Sequence, residues 1–168
     1  MASKRTPAVV MALGGVLAAL AVVIMNLGGM IPVATYVIPV LCMLLLQVVL
    51  AKCGIRIAWA WYGAVSILGL LMCPDKEAAA VFLALGYYPI LKPGLDRTKG
   101  KWLWKILLFN GVTLVLYWLM MNLLGMAELA AEFAEMGKWL TLLTLLLGNL
   151  TFFMVDRMLT KLQIKMKR

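Results

Sequence analysis

Long apolar runs separated by short polar breaks dominate this chain. The runs cover about 7–27, 31–51, 57–73, 75–92, 102–124 and 139–155. A helix needs about 20 residues to cross a hydrocarbon core, and most of these runs approach that length. Lipid offers no partner for an open backbone amide, so each run is expected to be α-helical. The fold class that follows is an all-α membrane protein, one six-transmembrane-helix bundle over residues 1–168. The fourth run has its clean apolar stretch only from Ala78 to Leu91, a length that also suits a re-entrant or buried segment. Pro74 fits a first helical turn before it, and Lys92 is placed to reach toward the interface at its far end.

Two segments carry a mixed pattern. In 125–138, Glu128, Glu132 and Glu135 repeat at helical spacing beside Leu129, Phe133 and Met136, between Gly125 and Gly137. This reads as an amphipathic helix on the outer leaflet, or as a lid over an outer pocket. In 156–168, Arg157, Lys161, Lys165 and Arg168 form a basic stripe, and Val155, Leu159, Leu162 and Met166 an apolar one. That is expected to be a basic cytoplasmic tail resting on anionic inner-leaflet lipid.

Composition closes off other classes. The chain has 168 residues, 65% apolar and 14% charged, with a mean hydropathy of +1.00. A soluble domain is about 25% charged, so this chain lacks the polar residues to cover a soluble surface. A soluble nucleic-acid binder is excluded despite the formal charge of +9. Histidine is absent, and Cys42, Cys53 and Cys73 are scattered. Neither a disulfide framework nor a zinc, haem or histidine acid–base site is expected from them, and no cofactor is assigned. The 13 methionines are spread over the runs without a copper-binding cluster.

Charge sets the orientation. With six crossings, 14 of the 16 Lys and Arg fall on one side, in the segments holding Lys4, Lys52, Arg97 and Lys161. The other side holds only Lys76 and Lys138, with five of the seven acids. Cytoplasmic loops carry the basic excess, which places both termini inside. Omitting the fourth crossing would move the most basic loop outside. The first run exceeds the 7–15 residues of a signal-peptide core and is expected to stay as an uncleaved helix. Trp59, Trp61, Tyr87, Tyr88, Trp102, Trp104 and Trp139 lie near run ends, where aromatic belts form.

Candidate function rests on few residues. No acid or base falls deep in a run, which argues against a proton-coupled pump. Asp96 and Asp156 are expected at the inner surface, unpaired, and no Ser–Lys or Asp–Asp arrangement points to an enzyme. The uncharged polar residues are expected mainly to bridge helices. Asn26, Tyr36, Asn122 and Trp139 fall near outer ends and are the candidates for an outward pocket. Small residues line the first run at spacings of four: Ala8/Ala12, Gly14/Ala18 and Gly15/Ala19. Such a groove admits a second helix, and spacing alone favours packing within the chain over docking of another protein.

The alanine-rich opening from Ala8 to Leu20 resembles the first helix of the substrate-binding S components of energy-coupling factor transporters. Those are small six-helix proteins with both termini inside. Their A-x-x-x-A motif, which Ala8 and Ala12 match here, contacts a transmembrane coupling subunit. The stretch Gly86-Tyr87-Tyr88-Pro89-Ile90-Leu91-Lys92, with Phe109-Asn110 and Asp156-Arg157, is also similar to small bacterial membrane proteins of no known activity.

The resemblance implies a non-catalytic binding subunit for small-molecule uptake in the bacterial cytoplasmic membrane. Its partners would be a coupling subunit, which would dock on Ala8, Ala12, Gly15 and Ala19, and separate ATPases. No vitamin-specific loop signature is present, so no substrate residue carries over. The rival expectation is a structural or scaffold protein of an envelope complex, held by its helix faces and basic surface.

Overall fold

In the computed structural model, residues 6–28, 35–122 and 137–167 are described. They form seven α-helices and no strand among the described residues. Helix α1 is Pro7–Gly28, α2 Val37–Cys53 and α3 Ile55–Met72. These are followed by α4, Lys76–Leu85, α5, Tyr88–Leu95, α6, Lys101–Asn122, and α7, Gly137–Lys167. Helices α1, α3, α6 and α7, and α4 with α5 taken together, are long and apolar enough to cross a membrane; α2 is a shorter apolar helix. The described helices are those of a multi-pass membrane protein.

Local chemistry explains the boundaries. Pro7 opens α1, where its missing N–H is not needed. A single residue, Gly54, joins α2 to α3 with φ of 89°, a left-handed conformation that side-chain-bearing residues avoid. Asp75 caps α4, its Oδ1 accepting from the Ala78 amide at 3.0 Å. Pro74 therefore precedes the cap and lies outside the first turn.

The fourth run is not one helix. At Gly86 a Cβ would run into the Phe82 carbonyl, the chain turns, and Pro89 restarts it near the beginning of α5. The sixth run and the expected tail, in contrast, are one helix. At about 1.5 Å per residue, the 31 residues of α7 extend ~46 Å, well beyond a ~30 Å hydrocarbon core.

Helix α2 is the hub, touching α1, α3, α4, α5 and α7. Its side chains are apolar on most sides, as a surrounded helix requires. Cys42, Leu46 and Val49 are fully enclosed with Ala21 and Met25 of α1, Ala58 and Val65 of α3 and Phe82 of α4. A second cluster, Met43 with Tyr88, Val155 and Leu159, brings in α5 and α7. The outside is apolar too: Leu71, Leu103 and Trp139 are 73%, 74% and 86% exposed. Apolar surface on this scale belongs against hydrocarbon.

Two sequence expectations fail here. Residues 156–167 do not lie free on a leaflet. Val155 and Leu159 of the apolar stripe are buried in the bundle, and Gln163 Nε2 donates to Gln47 Oε1 of α2 at 3.2 Å. Arg157, Lys161 and Lys165 remain exposed. Trp61 and Tyr88 are not belt residues, being 4% and 1% exposed, while Trp59, Trp102 and Trp104 stay on the surface.

The thiols report on this packing. Cys42 Sγ and Cys73 Sγ are buried and donate to the carbonyls of Ala21 and Met25. Burial pushes the Cys73 thiol above its ordinary value, which further lowers its thiolate fraction. Both should resist a membrane-permeant maleimide in the folded protein and react once dodecyl sulfate unfolds it. Rapid labelling of either in the native state would contradict the α1–α2–α3 core.

Candidate functional site

Four charged residues expected at the inner surface come together inside the bundle. Asp156 on α7 is 4% exposed, Lys92 on α5 1% and Lys105 on α6 2%. Lys92 Nζ and the Tyr88 hydroxyl both donate to Asp156 Oδ1. Lys105 Nζ donates to the same oxygen at 2.9 Å and pairs with Asp96 Oδ1 at 2.6 Å. Lys92 also lies 3.4 Å from Asp96 Oδ2, and Asp96, 36% exposed, forms the edge of the set.

Aromatic rings close it. Phe152 packs edge-on against Tyr88, and the Lys105 ammonium lies 5.2 Å from the centre of the Trp102 ring. Two ammonium groups meet two carboxylates, so the set is neutral as a whole, which is what low-dielectric surroundings require. It joins α5, α6, α7 and the turn after α5. Lys92 does not reach for the interface, and Asp96 and Asp156 are not unpaired.

A second polar knot sits at the opposite end. Glu77 Oε1 accepts from the Tyr36 hydroxyl at 2.9 Å and the Tyr117 hydroxyl at 3.0 Å. Those two hydroxyls are 3.1 Å apart. Beside them Thr35 Oγ1 donates to Asp75 Oδ2 at 2.7 Å. Along α6, Lys105 and Tyr117 are twelve residues apart, about 18 Å of helix. Lys92, Lys105 and Asp156 are thus buried inside the bundle and paired across helices, a relation no single run displays.

Of the pocket candidates, only Tyr36 enters a cross-helix site. Asn26 Nδ2 donates to Val22 O and Asn122 Nδ2 to Trp118 O, each within its own helix. Trp139 is 86% exposed at the start of α7. The structure thus gives Tyr36 new partners, Glu77 and Tyr117, that sequence reasoning missed. Of the acidic segment 125–138, expected as interfacial helix or lid, residues 125–136 lie outside the described residues.

Helix α1 divides its small residues between two faces. Gly14 is buried, 3.8 Å from Ile57 Cγ2 when given a Cβ, and Ala18 and Ala21 also face the core. Ala8, Ala12, Gly15 and Ala19 are all exposed on the other side, and a Cβ on Gly15 meets nothing within 4 Å. Intramolecular packing therefore accounts for Gly14 and Ala18 and leaves the Ala8–Ala19 stripe unused.

Helices α6 and α7 are held by a reciprocal amide pair. Asn110 Nδ2 donates to Asn149 Oδ1 and Asn149 Nδ2 to Asn110 Oδ1, both at 3.0 Å. Each amide also donates to its own helix, at Ile106 O and Leu145 O. Asn110→Leu leaves Asn149 its helical acceptor, so it should cost only about 1 kcal/mol in a denaturant titration in micelles. A loss of several kcal/mol would mean Asn149 has no such fallback.

No family model matches the chain, and no curated protein or solved structure matches it. No group of three or more His, Cys, Asp or Glu among the described residues is arranged to hold a metal ion.

Proposed function

We propose that this chain is a six-crossing subunit of the bacterial cytoplasmic membrane with both termini inside. It captures a small molecule from outside and works with a separate ATP-driven coupling module. The observation that carries this reading is the exposed stripe Ala8, Ala12, Gly15 and Ala19, facing away from the side of α1 that packs on α2 and α3. Close helix contact between membrane proteins is built on such small-residue faces.

The matching A-x-x-x-A resemblance and the basic excess on one side support the same arrangement. Substrate recognition is assigned to the outer knot around Tyr36, Glu77 and Tyr117, where the starts of α2 and α4 and the later part of α6 present hydroxyls and a carboxylate. The paired charges around Asp156 hold α5, α6 and α7 in one arrangement and carry no chemistry of their own.

The test is purification from bacterial membranes in a gentle detergent, with the co-purifying proteins and the extracted small molecules identified by mass spectrometry. A transmembrane coupling subunit with ATPases, and a metabolite lost in Glu77→Gln, are the expected results. Empty protein accompanied instead by envelope-assembly partners would replace this reading with the scaffold one. Modification of a cysteine placed at Arg97 by an impermeant reagent from outside the cell would overturn the orientation.

A further inference from the structure

Between α6 and α7 runs a groove of about 440 Å³ that the proposed function does not use. Its walls are Ile106, Leu142, Leu145, Leu146, Phe152 and Phe153. Its polar lining is closed to ligands. Asn110 and Asn149 are satisfied by each other and by their own helices, and Lys105 is committed to Asp96 and Asp156. Leu142, Leu146 and Ile106 are 57%, 62% and 49% exposed, so the groove opens sideways, toward the surroundings of the bundle.

The two ends of the groove differ. At one end Trp102 and Phe153 face each other with ring centres 5.1 Å apart. The Arg157 guanidinium lies 4.5 Å from the Phe153 ring, and exposed Lys161 follows one turn later. The other end, at Leu142, is apolar. From Leu142 to Phe153 is eleven residues, about 16 Å of helix. One leaflet is half of a ~30 Å hydrocarbon core, close to the same length.

We infer that this groove holds one acyl chain of an anionic phospholipid of the inner leaflet, its phosphate on Arg157 and Lys161. The length of the groove fits a chain that reaches from headgroup to bilayer midplane. The charge lies only at the headgroup end, where a guanidinium pairs two-pronged with phosphate oxygens. Trp102 at that mouth is a residue type that prefers the headgroup depth. This site rests on the orientation proposed above, with the C-terminus inside, but uses neither α1 nor the outer knot.

The test uses the full chain in mild detergent, titrated with palmitoyl-oleoyl phosphatidylglycerol or the matching phosphatidylcholine and read by native mass spectrometry. The wild type should retain phosphatidylglycerol about thirtyfold better, the equivalent of ~2 kcal/mol for two basic residues at a lipid headgroup. Arg157→Gln, on an exposed side chain, should cut that preference to about fivefold, the share left to Lys161, with circular dichroism unchanged. Leu145→Trp, which fills the groove, should lower retention of both.

Equal retention of the two lipids by the wild type overturns the inference, as does unchanged retention in Leu145→Trp. A dimer lost in Leu145→Trp while lipid retention stays intact would assign the groove to a second copy of the chain and overturn it as well. If Leu145→Trp fails to fold, the Arg157→Gln comparison alone decides.

Discussion

Asp156→Asn is expected to destabilise the bundle by ~3–5 kcal/mol, the usual cost of removing one partner from a buried ion pair. The reason is the convergence on one oxygen. Lys92, Lys105 and Tyr88 all donate to Asp156 Oδ1, and both lysines are almost wholly buried. Without that charge, two ammonium groups share Asp96, which is 36% exposed and stabilises them less.

The control is the double change Lys105→Met with Asp156→Asn. It keeps the site neutral, because Lys92 retains Asp96 at 3.4 Å. The double variant should therefore recover part of the stability that the single variant loses. The measurement is the unfolding free energy in mixed micelles titrated with dodecyl sulfate and followed by circular dichroism. Were the single variant to lose under about 1 kcal/mol, or the double variant to be worse, the lysines would be solvated by water or lipid instead of bound to the carboxylate.

Two neighbouring glycines should respond oppositely to the same substitution. Gly14→Leu pushes a side chain toward Ile57 between α1 and α3 and is expected to cost ~1–3 kcal/mol, the range for overpacking a filled core. Gly15→Leu enters open space, so stability should hold within about 0.5 kcal/mol, as for a surface change. On the proposed function, Gly15→Leu should instead abolish recovery of the coupling subunit, because Leu keeps a partner helix from close approach. Equal destabilisation by both variants would mean that α1 is rotated from the orientation described. Full partner recovery with Gly15→Leu would remove the stripe as the docking face.

The apolar runs reported the helices well because that signal is local. A stretch such as Ala8–Val23 has no alternative in lipid to pairing its own backbone. Helix ends are set by nearby residues, Pro7 at the start of α1 and Gly54 at the one-residue connection of α2 to α3. The breaks were harder to read. Gly86 and Pro89 divide the fourth run into α4 and α5, and Asp156 does not end the last helix. An acid at that position reads as a boundary while its partners are unknown. Once Lys92 and Lys105 neutralise it, the helix continues through it to Lys167.

By itself the sequence determined that this chain is helical and made for lipid. Those properties follow from residue type and run length, quantities that each segment carries alone. Which charges are buried, which small residues of α1 face inward and what Tyr36 touches were decided only by the tertiary structure. These depend on the rotation of each helix about its axis and its height against the next. Where nearly every face of a helix is apolar, as on α2, the pattern holds little record of either. Packing volume and the pairing of a few polar groups, Asp156 with its lysines and Asn110 with Asn149, select the arrangement instead.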